Sequence, residues 1–178
     1  MLRAVLLSVL LALTGLAAMA EPSDAMFEKL KNAPSEAEAN DIAQDIWASW
    51  LESGSPTVDM IMQRGVDAQK VGMLDVARTF YDRAILIKPD YAESWNRRAT
   101  IFMQQENFTE ALRDLNEALK LEPRHFGAWS QLAMLFEAMD APDQALDAWR
   151  EALAVYPTMR EARSAEKRLV KQAEGRGL

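Results

Sequence analysis

An all-α fold of stacked helix-turn-helix units is predicted by three features of the sequence. The first is a 34-residue period kept by Pro89, Pro123 and Pro157, by Ala77, Ala111 and Ala145, by Ala84, Ala118 and Ala152, and by the large apolar column Ile61, Trp95 and Trp129. The second is that each period holds two stretches with apolar residues at helical spacing, joined by a short turn. The third is composition: 49% hydrophobic residues can bury a core, and seven glycines and seven prolines are too few for a low-complexity chain. A fixed period of this length marks a solenoid, in which each unit buries its apolar face against the next.

Residues 1–20 read as an address rather than as part of the fold. Arg3 gives a positive start, Leu6, Leu7, Val9, Leu10, Leu11 and Leu13 form an apolar run, and Ala18-Met19-Ala20 ends it in front of the polar Glu21-Pro22-Ser23. This is the pattern of a secretory signal peptide cleaved after Ala20. A retained membrane anchor is the alternative, because the run approaches the ~17-residue lower limit for a span. The cleaved chain is expected outside the cytoplasm, in the periplasm of a double-membraned bacterium, with no membrane attachment.

Residues 21–57 form an acidic arm with eight acids and two bases. Asp24 is expected to cap a short helix carrying Phe27 and Leu30, which Pro34 ends near Asn32. Ser35 with Glu38 is a capping box, opening a second helix in which Ile42, Ala43, Ile46, Trp47, Trp50 and Leu51 recur at helical spacing. The 34-residue phase carries over from Phe27 to Ile61, Ala43 to Ala77 and Trp47 to Tyr81. The arm is therefore expected to be a degenerate N-terminal repeat, with Trp47 and Trp50 packing on the repeat that follows.

Three clear repeats follow at 58–91, 92–125 and 126–159. In the first, helices are expected at 58–70 and 74–87 around Val71-Gly72-Met73, where glycine supplies the freedom a helix exit needs. Gln105-Glu106-Asn107 and Asp140-Ala141-Pro142 are the corresponding turns. Gly65, Ala99 and Ala133 on the first helices, with Ala77, Ala111 and Ala145 on the second, allow close helix approach. Ala68, Phe102 and Phe136, with Tyr81, Leu115 and Trp149, fill the remaining space. At 160–178 a capping helix and tail are expected: Met159, Ala162, Ala165, Leu169 and Ala173 give one apolar stripe, and Arg160, Arg163, Lys167, Arg168 and Lys171 decorate the rest.

These columns resemble the tetratricopeptide repeat. They comprise Trp95, Ala99, Phe102, Ala111, Leu115, Ala118 and Pro123 in the central unit, Trp129, Leu132, Ala133, Phe136, Ala145, Trp149, Ala152 and Pro157 in the third, and Gly65, Gly72, Ala77, Tyr81, Ala84 and Pro89 in the first. Departures are Ile61 and Ala68, where the family prefers large aromatics, and Arg64 and Arg98, where it usually has leucine. The whole chain is also similar to small exported repeat proteins of alphaproteobacteria, which share the acidic arm and a Pro-Arg-His-Phe-Gly junction like that at Pro123–Gly127. The resemblance implies a right-handed α-α superhelix whose concave groove is lined by the first helix of each pair. By transfer of position, the groove is lined by Asp59, Met62, Gln63, Val66 and Gln69, then Glu93, Asn96, Arg97, Thr100 and Met103, then Ser130, Gln131, Met134 and Glu137. Three methionines among amides and one arginine suit an adaptable peptide groove. The lysine-and-asparagine carboxylate clamp of the family's chaperone-tail binders is not matched. The expected role is a scaffold binding another protein or peptide, with self-association through an exposed Trp47 or Trp50 as the alternative.

Other functions find little support in the residues. A formal net charge of −7 disfavours a nucleic-acid binder of the basic kind. With no cysteine there is no disulfide, thiolate metal site or cysteine nucleophile. No metal-ligand spacing, phosphate loop or serine elbow is present, so neither a cofactor nor an enzymatic activity is expected. His125, the one histidine, is expected in a surface turn between repeats, and Asp114 and Glu117 on a solvated outer face.

Overall fold

A computed structural model describes residues 22–176, so the segment read as a signal peptide lies outside the described residues. Among them are nine helices: α1 (Asp24–Lys31), α2 (Glu36–Trp50), α3 (Pro56–Lys70), α4 (Leu74–Ile87), α5 (Ala92–Gln104), α6 (Phe108–Leu121), α7 (Phe126–Ala138), α8 (Pro142–Val155) and α9 (Arg160–Arg176). The pairs α3/α4, α5/α6 and α7/α8 are the three repeats, and α9 closes the stack.

Local chemistry sets the helix ends. Ser23, not Asp24, occupies the N-cap of α1; Asp24 lies in the first turn, where a carboxylate complements the helix dipole. Ser35 Oγ accepts from the Glu38 N–H at 3.2 Å, as the capping box requires. α3 begins two positions before the expected Val58, because Pro56 fits a first helical turn whose N–H needs no partner.

Within each pair the small residues lie where the helices touch: Ala77, Ala99, Ala111, Ala133 and Ala145 are fully buried, beside Tyr81, Leu115 and Trp149. In the first repeat a Cβ on Gly65 would come within 2.5 Å of Tyr81 Cε1, so the tyrosine ring occupies the space that Ala99 and Ala133 fill in the others. The turn inside each repeat puts one residue in the left-handed region, at the same position each time: Gly72 (φ 78°), Glu106 (φ 59°) and Asp140 (φ 54°). That conformation costs a residue with a Cβ roughly 1–2 kcal/mol, partly offset by the greater chain entropy glycine loses on folding. Glu106→Gly is therefore expected to stabilise the protein by about 0.5–1 kcal/mol, read as a higher urea midpoint.

The first helices of neighbouring repeats come close enough for Asn96 and Thr100 of α5 to bond Gln131 of α7, at 2.9 and 2.8 Å. Among the described residues no side-chain hydrogen bond links α4 to α6 or α6 to α8. α5 and α7 therefore meet on one side of the stack, its inner face, and α3 is the corresponding helix of the first repeat. On α9, Ala162, Ala165 and Leu169 are buried against the last repeat, while Arg163, Lys167 and Lys171 stay in solvent.

The arm does not continue the stack. α1 and α2 form a hairpin that folds back across the repeats and packs on the start of α7, the end of α8 and the turn before α9. The reason lies in α3. Where α5, α7 and α9 bury Ile101, Leu135 and Leu169 against the helix before them, α3 carries Asp67, whose side chain is 60% exposed and pairs with Lys70. Where they bury Ser94, Ala128 and Ala162, α3 carries the exposed Met60. Covering Asp67 with another helix would leave a carboxylate desolvated, at a cost of several kcal/mol. The degenerate-repeat reading of residues 21–57 gives way to a strap.

Candidate interaction surface

The strap closes on the turn Pro123-Arg124-His125-Phe126-Gly127, and each residue from Arg124 to Gly127 has a partner on it. Arg124 bonds Asp24 at 2.5 Å and lies 4.1 Å over the Phe27 ring. His125 is fully buried, with Trp50 stacked on it at 4.0 Å and Trp47 edge-on at 5.4 Å. Phe126 sits among Trp47, Trp50 and Tyr156. Gly127 lies directly under Trp47: a Cβ there would come within 2.5 Å of the indole. Polar ties extend the contact toward the C-terminus, where Tyr156 bonds Asn40 and Arg160 bonds Glu36. At the other end the Tyr91 hydroxyl donates to the Trp50 carbonyl at 2.8 Å. Burial, the largest influence on the Tyr91 phenol, pushes its pKa up, so it stays a donor.

Three expectations change here. His125 is not a surface turn residue, because two tryptophans cover it. The Trp47 and Trp50 rings pack on the junction between the second and third repeats, at His125 and Phe126, rather than on the adjoining repeat, and Trp50 is only 6% exposed, so neither forms a free apolar patch for self-association. Asp114 is not on a solvated face: it is fully buried and held by Arg98 through two bonds, Nε at 2.6 Å and Nη2 at 2.9 Å. Arg98 also bonds Asp82 at 2.7 Å.

The groove residues separate by position along their helices. Glu93 and Gly127 in one column, and Met62, Asn96 and Ser130 in the next, are buried, and Asp59 is half-buried. Met62 belongs to the first repeat's core, Asp59 bonds the Ser53 N–H at 2.8 Å, and Ser130 donates to the Phe126 carbonyl at 2.8 Å. The columns nearer the helix ends remain accessible: Gln63, Arg97 and Gln131, then Val66, Thr100 and Met134, then Gln69, Met103 and Glu137. Gln63 bonds Asp67, Gln69 accepts from Tyr81, and Glu137 accepts from Trp149 and Arg168. Met134 is 38% exposed.

A buried carboxylate joins the two zones. Glu93 Oε2 meets His125 Nε2 at 3.1 Å and Asn96 Nδ2 at 2.8 Å, while Oε1 meets Arg97 Nε at 2.5 Å. His125 Nδ1 accepts from the Ala128 N–H at 3.0 Å, capping α7, so the proton sits on Nε2 and points at Glu93. Desolvation alone would raise the Glu93 carboxyl. The His125 hydrogen bond, the Arg97 charge and the Asn96 amide together outweigh it and hold Glu93 below its ordinary value. The network fixes Arg97 with its side chain 28% exposed and its Nη groups without a hydrogen-bond partner among the described residues.

Sequence reasoning missed Gly127 and the partnership of His125 with Trp50. The available signal was the run Arg124–Gly127 itself, which breaks the repeat columns by placing glycine where the other repeats have Glu93 and Asp59.

Comparison with known proteins agrees with this architecture. The sequence profile of the tetratricopeptide repeat matches residues 92–125. A TPR repeat-containing protein of Rhizobium etli is 40% identical over 102 residues, covering 57% of this chain and 50% of that protein. The chain therefore spans about half the length of that relative. Among solved structures, the Arabidopsis OM64 TPR domain superposes with a TM-score of 0.62 at 26% identity, over 65% of this chain and 95% of that one. The first TPR of Spaghetti (RPAP3), bound to an HSP90 peptide, gives 0.63 at 20% identity over 66% and 93%. The TPR2B domain of yeast Sti1 in complex with pHsp70 gives 0.61 at 21% identity over 66% and 99%. With its period, its helix pairs and its stacking accounted for residue by residue, the chain has the tetratricopeptide-repeat fold and carries a repeat matching that family's profile at 92–125.

Proposed function

We propose that the protein is a non-enzymatic scaffold that binds another protein through an extended segment laid along the open part of its inner face. The observation that carries this reading is Arg97, oriented by Glu93 with its Nη donors unpartnered among the described residues, on the helix that also carries the accessible Thr100 and Met103. A guanidinium held in one orientation can grip a peptide carboxylate or main-chain carbonyl with little loss of side-chain freedom. The methionines can repack around an apolar side chain of the same segment. Two structural neighbours are complexes with chaperone-derived partners, which supports the use of this fold for holding protein segments. The groove residues do not match the chaperone-tail clamp, so recognition of a chaperone C-terminus is not part of this proposal.

A crosslinking capture with residues 21–178 tests the reading. Its control is the doubly substituted Arg97→Glu, Met103→Glu chain, checked for retained helix. Partners held by the parent and lost by the folded variant are the expected result; identical capture by both would move the working surface elsewhere.

The same proposal places the scaffold outside the cytoplasm, in the periplasm, on the strength of the sequence pattern at 1–20. Mass spectrometry of the exported protein should find Glu21 at its start, and a chain retaining Met1 would contradict the placement.

A further inference from the structure

We infer that the turn at Arg124–Gly127 is a docking socket that accepts the α1–α2 hairpin of a second copy of this chain, as well as the chain's own. The inference is independent of any peptide on the Arg97 strip.

The hairpin is built like a ligand. Its specific contacts are two indoles, one seated over Gly127 and one stacked on His125, with Phe27 under Arg124. It joins the stack through one hinge, residues 51–55, tied to the first repeat by Ser53 and Asp59 and by Tyr91. The polar ties of the docked hairpin span 100, 116 and 124 positions of sequence. The repeats, by contrast, pack on their immediate neighbours. Local packing therefore completes the socket before the long loop closes over it, and during that interval any hairpin in reach can enter. A tether supplies a finite effective concentration of its own hairpin, and a second copy competes as protein concentration approaches that value.

Charge favours the encounter. On the exposed face of α2, Glu38, Asp41 and Asp45 have no ion-pair partner among the described residues, and on α9 neither have Arg163, Lys167 and Lys171. An acidic hairpin is thus steered toward the basic end of another copy, beside its socket. The closed form is also imperfect, since the Trp50 Nε1–H is buried without an acceptor among the described residues. This weakens the hold of the hairpin on its own stack.

Complementation between two defective copies tests the inference. Trp47→Ala with Trp50→Ala disables the hairpin and leaves the socket bare; Gly127→Leu fills the socket and leaves the hairpin intact. Each copy alone should sediment as a monomer with parental helix content. Mixed at roughly millimolar concentration, they should form a one-to-one complex of twice the monomer mass. Two folded variants that remain monomeric when mixed would overturn the inference. Should either variant fail to fold, a chain lacking Gly54 and Ser55 gives a second reading. Its shortened hinge keeps the hairpin from its own socket, so a doubled mass is expected and a monomer overturns the inference.

Discussion

Replacing Arg98 by leucine is expected to destabilise the protein by about 3 kcal/mol, because the buried Asp114 carboxylate loses both of its hydrogen-bonded donors and keeps only the exposed Arg113, 3.6 Å away. Asp114 is fully buried and depends on Arg98 for both of its short hydrogen bonds; Asp82, the other partner, is half-exposed and can return to water. The third repeat carries Leu132 and Ala148 at the positions of Arg98 and Asp114, and buries both. The double variant Arg98→Leu, Asp114→Ala copies that arrangement and is expected to recover most of the loss, since an ion pair replaced whole by apolar residues is often neutral. Urea unfolding of the two singles and the double measures this. A double variant no better than Arg98→Leu alone would mean that the pair does not act as a unit.

Glu93→Gln is expected to cost about 1 to 3 kcal/mol at neutral pH, because Arg97 loses its counter-charge and the buried His125 Nε2–H and Asn96 amide lose a carboxylate acceptor. The pH dependence has a definite sign. The native Glu93 carboxyl lies below its ordinary 4.5, so its contribution is fully present above that value and is lost as pH falls through the lowered native one. The parent should therefore lose stability on acidification below about 4.5 more steeply than the glutamine variant. Thermal unfolding of both between neutral and acid pH compares the slopes; equal slopes would remove Glu93 from the acid response.

Much of the fold could be read directly because its signals are local and repeated. Small residues at Ala77, Ala111 and Ala145 report close helix approach whatever else the chain does. The 34-residue phase sets which helix follows which, and the helix ends fell within two residues of expectation where capping or proline chemistry fixes them. The groove columns were transferred by position from the family resemblance, and position did not tell which of those residues are buried. Glu93, Asn96 and Ser130 have the polar character of contact residues, yet they are polar because they bond one another, His125 and the Phe126 carbonyl.

The arm shows why that distinction escaped a reading of periodicity. Phe27, Ala43 and Trp47 keep phase with the first repeat, and the same apolar stripe serves equally well for stacking on α3 or for folding back. The deciding residues lie elsewhere in the chain: Asp67 rejects a preceding helix, and Gly127 makes room for an indole. Asp67 stood in the sequence as a departure from the Ile101 and Leu135 column, and its weight depends on knowing which face it occupies.

By itself, then, the sequence determined the helix pairs and their order, since these follow from contacts between residues near in the chain. Only the tertiary structure decided that the arm straps the stack, that His125 and Asp114 are buried, and which part of the inner face stays open. Those outcomes rest on contacts spanning tens to more than a hundred positions. Side-chain shape and charge select such contacts, and no repeating pattern along the chain records them.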